Sequence, residues 1–186
     1  MSNEKVIPTW LSAVLFLLCL ASLALSAMDT AKMFNTEGLL ISITQILCSL
    51  SVIFALLYSV YGYSKNAAGY FSLLTGSMLL TDFCGTLTNV VSTADAVAVR
   101  LLPTAMYMIS YACLAVLLIA KDLKKKKSFA LVGVIIAAYA VRTACHIASY
   151  GLTESYNVIL SNLSLALVLG IMIFAKYKDK ANRGTT

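Results

Sequence analysis

The stretch SFALVGVIIAAYAVRTACHIASY, residues 128–150, decides the fold. Most of its side chains are apolar, and it exceeds the length of about 20 residues that a helix needs to cross the hydrocarbon core of a bilayer. It therefore predicts a transmembrane helix. The same stretch holds Arg142 and His146, the only histidine of the chain. Charged residues within membrane spans usually face the interior of a helix bundle, so these two mark a candidate site.

Five further stretches have the same character, at about 6–27, 38–62, 68–92, 97–120 and 155–175. Charged residues make up only 12% of the chain and apolar residues 60%, whereas a soluble domain is about 25% charged. Spanning segments must be helices or a closed barrel, and the absence of strand-like alternation excludes the barrel. The sequence predicts an all-α polytopic membrane protein, a bundle of six transmembrane helices that forms a single transmembrane domain over residues 1–186.

The first stretch also resembles a signal peptide, because Lys5, an apolar run and the small-residue sequence ALSA precede Met28. Its apolar run, from Val6 to Ala27, is longer than the core of a usual signal peptide. This length favours a true span.

The basic residues predict the orientation of the bundle. If the N-terminus lies inside, eleven of them fall on inner segments: Lys5, Lys65, Lys121, Lys124, Lys125, Lys126, Lys127, Lys176, Lys178, Lys180 and Arg183. Only Lys32 and Arg100 then fall outside. Cytoplasmic segments carry an excess of Lys and Arg, so both termini are expected in the cytoplasm, in a bacterial cytoplasmic membrane. The net charge of +6 is thus a topology signal, and no nucleic-acid partner is expected.

Polar residues recur at helical spacing in three of the predicted spans. The third carries Asp82, Thr86, Asn89 and Thr93, the fourth Arg100, Thr104, Tyr107 and Tyr111, and the fifth Tyr139, Arg142, His146 and Ser149 or Tyr150. Residues at offsets of three, four and seven share one face of a helix. Each of these three helices is therefore predicted to turn a polar face toward the bundle interior.

Asp82 and Arg142 are predicted to form an ion pair between the third and fifth spans. Arg142 cannot lose its proton, so it needs a counter-charge. Each of the two residues lies 14 positions from the cytoplasmic end of its span, which is roughly 21 Å at the rise of an α-helix. Asp82 is the only acid at that level of the predicted bundle.

Above this pair, the polar side chains predict an outward-facing pocket for a small anionic or zwitterionic solute. Its candidate ligand-binding residues are Arg142, His146, Asn89, Tyr107, Asn162 and Arg100. They combine cationic groups with amides and aromatic hydroxyls. The alternative is purely structural: the Asp82–Arg142 pair fixes the register of the helices, and Arg100 extends to the outer interface.

Cysteine spacing predicts neither a metal site nor a cofactor. The five cysteines fall singly in the first five spans and form no CxxC motif. Small residues instead form ridges, with Ala140, Ala144 and Ala148 on the fifth span and Ser72 with Gly76 on the third. Such ridges permit close helix approach, so a homo- or hetero-oligomer is compatible with the sequence.

These features favour a small-solute transporter or a membrane-embedded substrate-binding subunit. In size and helix count the chain is similar to the substrate-binding subunits of energy-coupling factor vitamin transporters. That family's first span carries an Ala-xxx-Ala helix-docking pattern, which this chain lacks; Ser22 and Ser26 are the nearest approximation.

Two other classes stay open at this point. One is a non-catalytic accessory, sensor or immunity protein, or a channel subunit, with which the short loops and the alanine ridge are compatible. The other is an intramembrane enzyme that uses His146 and Asp82 as an acid–base pair. No GxSxG or HExxH motif supports an enzyme, and the chain has no second histidine.

Overall fold

The computed structural model describes residues 9–33, 39–61, 67–91, 97–120 and 123–183. Within these ranges the chain is helical and contains no strand. The six helices are α1 (Thr9–Met33), α2 (Leu39–Tyr61), α3 (Ala67–Val91), α4 (Val97–Ile119), α5 (Lys125–Tyr150) and α6 (Tyr156–Arg183). A short 3₁₀ turn, Thr153–Ser155, precedes α6. The predicted all-α class is therefore confirmed.

The helices follow the six apolar stretches but extend beyond some of them. Helix α1 continues to Met33 and α6 continues to Arg183, whereas their apolar runs end near residues 27 and 175. Helix α5 begins at Lys125, inside the lysine run. Lysine and arginine are good helix formers, so the helical hydrogen bonding continues where the apolar composition ends. Gly151, with a φ of 82°, ends α5, and its N–H bonds to the Ile147 carbonyl.

Within the described parts of the chain, three helical segments are long and apolar enough to cross a membrane: Leu101–Ile119, Lys125–Tyr150 and Thr153–Phe174. Two shorter apolar helical segments, Ala13–Ser22 and Ile43–Ala55, lie within the described parts of α1 and α2. Large apolar side chains are exposed on these helices, among them Leu17, Leu101, Met108, Val134 and Phe174. A soluble monomer rarely exposes so much apolar surface, which indicates a membrane-associated protein.

The helices pack in a ring in chain order, and α6 closes it against α1. Helix α6 also contacts α2 and α3, so it lies toward the interior. The core between the helices is apolar, with fully buried side chains from all six helices, namely Leu15, Val52, Leu74, Met78, Leu114, Ile135 and Leu169. This packing places α3, α4 and α5 side by side, which is what assembles the candidate site.

Hydroxyl and amide side chains tie the helices together. Ser22 of α1 bonds to Ser161 of α6 at 3.0 Å, and Thr44 of α2 to Thr88 of α3 at 3.3 Å. At the other end of α6, the Tyr177 hydroxyl lies 2.6 Å from the Ser128 hydroxyl of α5 and donates to the Leu123 carbonyl. Interhelical bonds of this kind contribute about 0.6 kcal/mol each on average in a membrane protein.

Candidate functional site

The candidate site is a buried charged cluster where α3, α4 and α5 meet. Arg142 of α5 donates from Nη1 to Oδ1 of Asp82 on α3, with 2.7 Å between the two atoms. The other carboxylate oxygen, Oδ2, accepts a hydrogen bond of 2.5 Å from the Ser110 hydroxyl of α4. Asp82 has no exposed side-chain surface, and Arg142 has 10%. Each of the three helices thus contributes a polar group to a buried centre.

Two tyrosine rings enclose the guanidinium. Its central carbon lies 3.5 Å from the ring centroid of Tyr107 and 4.7 Å from that of Tyr139. A cation over an aromatic face is attracted by the ring quadrupole, and the attraction reaches about 2 kcal/mol when the site is desolvated. The Tyr139 side chain is also close enough to the Asp82 carboxylate to interact with it.

Helical spacing explains why these side chains meet. Tyr139 and Arg142 are three residues apart on α5, and Tyr107 and Ser110 are three residues apart on α4. Residues separated by three positions lie on the same face of a helix, so one contact face supplies both members of each pair. On α3, Gly85 stands three residues after Asp82. Gly85 therefore lies on the same face of α3 as Asp82 and is turned toward the cluster.

Gly85 makes room for the Tyr107 ring. A Cβ atom at this position would lie 2.5 Å from Cε1 and 2.8 Å from Cζ of that ring. Such distances are far inside van der Waals contact, so only glycine lets the ring approach the α3 backbone this closely. The position of Tyr107, and through it that of Arg142, depends on residue 85 being a glycine.

The hydrogen bonding of the cluster is incomplete at Arg142. Among the described residues, its Nε is the only buried side-chain nitrogen or oxygen without a hydrogen-bond partner. A guanidinium carries five N–H donors, and a buried donor without an acceptor costs about 1–3 kcal/mol. The Asp82–Arg142 pair is neutral, but the cation still offers donor capacity to one more acceptor.

The other predicted ligand-binding residues do not bond to this cluster. Asn162 of α6 donates from its amide to the Thr143 hydroxyl at 2.8 Å. His146 bonds through Nδ1 to the Ser155 hydroxyl at 2.9 Å, and the Ser155 hydroxyl also donates to the Gly151 carbonyl. Both residues therefore join α5 to α6 or to the turn before it. His146 and Asp82 form no hydrogen-bonded pair.

Two predicted ligand-binding residues, Asn89 and Arg100, belong to α3 and α4, but their side chains lie outside the part of the structure that is described. Ser110 is a member of the cluster that sequence reasoning missed. A single serine in an apolar helix is common, and this one also bonds to carbonyls of its own helix. Its offset of three from Tyr107 is the one signal that could have revealed it.

The remaining reactive groups are dispersed. The five cysteines are free thiols on five different helices, and two of them, Cys19 and Cys48, interact with serines of α6. Within the described ranges, no group of three His, Cys, Asp or Glu residues is close enough to hold a metal ion.

The chain was compared with family models, curated proteins and solved structures, and none of them matches it.

Proposed function

We propose that this protein is an integral membrane protein that binds a small anionic or zwitterionic solute, as a transporter or as the membrane-embedded substrate-binding subunit of one. The observation that carries the proposal is the state of Arg142. Its guanidinium is held between two tyrosine rings, is neutralised by a single carboxylate and keeps a buried Nε donor without an acceptor.

A purely structural pair accounts less well for this arrangement. Fixing the register of α3 and α5 requires the bond between Asp82 and Arg142, but it does not require a second, unpaired donor. A carboxylate or similar anion would satisfy that donor with a charge-assisted hydrogen bond, which is about twice as strong as a neutral one. The Tyr107 and Tyr139 rings would supply the apolar walls that small-molecule sites usually have.

The proposed membrane arrangement is six spans with both termini in the cytoplasm. The lysines of residues 121–127 and of the C-terminal segment of α6 support it, because cytoplasmic segments are enriched in basic residues. The turn Thr153–Ser155 then lies on the outer side, and the charged cluster lies about midway across the bilayer. His146 lies one turn beyond Arg142 on α5, toward the outer end of the proposed site.

Labelling of single cysteines tests this topology. In a variant without native cysteines, Glu154→Cys should react with a membrane-impermeant maleimide added to intact cells, and Lys126→Cys should react only after the membrane is opened. A cysteine appended to the C-terminus should behave like Lys126→Cys. External labelling of either of the last two positions would contradict the orientation and the depth assigned to Arg142.

A thermal-shift screen of the detergent-purified protein tests the binding function. Acetate, glycine and phosphate should be compared with the cation choline at equal ionic strength. A ligand at a hundred times its Kd stabilises a protein by about 2.7 kcal/mol. We expect stabilisation by a carboxylate in the wild-type protein, loss of the response in Arg142→Gln and a weaker response in His146→Ala.

The matched control for this screen is Ser51→Ala, a substitution at a fully buried serine that donates to the Leu47 carbonyl of its own helix. It should keep the wild-type response. Selective stabilisation by choline, or a carboxylate response unchanged in Arg142→Gln, would exclude the proposed site. If none of the compounds shifts the melting temperature, a non-catalytic accessory subunit is favoured. The exposed ridge of Ala140, Ala144 and Ala148 offers a contact surface for such a role.

A further inference from the structure

The Ser110 hydroxyl has more acceptors within reach than it has hydrogens. It lies 2.5 Å from Oδ2 of Asp82, 2.9 Å from the Met106 carbonyl and 3.1 Å from the Tyr107 carbonyl. A hydroxyl has one hydrogen to donate and two lone pairs with which to accept. Ser110 can therefore donate to an ionised Asp82. It can equally donate to its own helix backbone and accept a hydrogen bond from a protonated Asp82.

The charge balance of the cluster determines when Asp82 would be protonated. With Asp82 ionised and Arg142 paired to it, the centre is neutral. An anion that binds the free Nε donor of Arg142 would leave one buried cation between two anions, and an uncompensated charge in a buried site is strongly disfavoured. A proton on Asp82 would restore neutrality, and Ser110 would still satisfy the acid.

The groups that face the carboxylate leave Asp82 as the natural proton acceptor. Arg142 and Tyr139 approach it from α5, Tyr107 and Ser110 lie on the facing part of α4, and Cys48 of α2 is close enough to interact electrostatically with both members of the pair. Tyrosine hydroxyls and a thiol are neutral near pH 7. Asp82 is the one group among these that can take up a proton from the ionised state.

We propose that anion binding at Arg142 is coupled to protonation of Asp82, so that solute and proton enter the site together. This inference rests on the proposed function. The solute accepts a hydrogen bond from the free Nε of Arg142, and a proton taken up from bulk water forms the O–H bond on Asp82. No group is oxidised or reduced, and release of the solute returns the proton. Arg142 keeps a tenth of its side chain exposed and Asp82 none, so the solute meets Arg142 first.

Proton uptake by the full-length protein in detergent tests the coupling. Acetate is titrated into weakly buffered protein that contains a pH indicator, and binding is followed in parallel by the thermal shift. We expect uptake that approaches about one proton per acetate bound, as neutralisation of a single buried carboxylate requires. Infrared difference spectra should show a new band of a protonated carboxylic acid when acetate binds. Proton uptake and band should both be absent in Asp82→Asn.

Two serine variants, one at the site and one away from it, provide a second test if Asp82→Asn fails to fold. Ser110→Ala should keep the Asp82–Arg142 pair but shift the acid band, because the acid loses its hydrogen-bond partner. Ser51→Ala should leave the band unchanged. Acetate binding without proton uptake would overturn the coupling and leave the proposed function intact. Absence of acetate binding would overturn both, and uptake that persists in Asp82→Asn would exclude Asp82 as the proton acceptor.

Discussion

The substitutions Asp82→Asn and Arg142→Gln should each lower the free energy of unfolding by about 3–5 kcal/mol, because removal of one partner of a buried ion pair leaves the other charge uncompensated. The double variant should recover part of this loss, since it leaves neither charge behind. The structure places the two charged atoms 2.7 Å apart with almost no exposed surface. A large coupling between the two substitutions is therefore expected.

The measurement is equilibrium unfolding of the four proteins in detergent, read as a double-mutant cycle. Ser128→Ala provides the control, because Ser128 lies 14 residues before Arg142 on α5 and bonds to Tyr177. That separation is about 21 Å along the helix, so its effect should add to that of Arg142→Gln within about 0.5 kcal/mol. Simple additivity of Asp82→Asn and Arg142→Gln would show that the two residues are not energetic partners.

The helical class of the fold and the equal offsets of the two charged residues could be inferred from the sequence because both depend on fixed dimensions. A long apolar run specifies a helix, and the constant rise of that helix converts a residue number into a height. Asp82 and Arg142 have equal offsets within their apolar stretches, and the structure brings their side chains together. Rotation of each helix about its axis is less constrained, since a polar face is broad enough to meet two neighbours.

His146 and Asn162 illustrate that limit. Helix α5 packs against both α4 and α6, and successive residues point about 100° apart around it. Arg142 therefore faces the α3–α4 side, whereas Thr143 faces α6 and meets Asn162. His146 lies one turn above Arg142, but it bonds to Ser155 in the turn before α6. Its partner comes from the path of the chain between two helices, which helical periodicity does not specify.

Gly85→Ala should destabilise the protein by disturbing the same centre without removing any charge. The new Cβ would lie 2.5 Å from the Tyr107 ring, so the ring has to move away from α3. Overpacking of this kind costs about 1–3 kcal/mol, and loss of the desolvated contact between Tyr107 and Arg142 adds about 2 kcal/mol. Together these losses exceed the gain of about 0.5–1 kcal/mol that alanine has over glycine inside a helix.

Gly76→Ala is the matched control for this prediction, because it makes the same substitution on the same helix. A Cβ at Gly76 would meet no atom within 4 Å, so only the favourable helix propensity remains and the variant should be stabilised by about 0.5–1 kcal/mol. The two substitutions should therefore shift the unfolding midpoint in opposite directions. Gly85→Ala should also weaken the acetate response, since Arg142 loses the ring that positions it, whereas Gly76→Ala should keep it. Equal stabilisation by both alanines would mean that the Tyr107 ring does not pack on the α3 backbone, and the tyrosine wall of the proposed site would have to be abandoned.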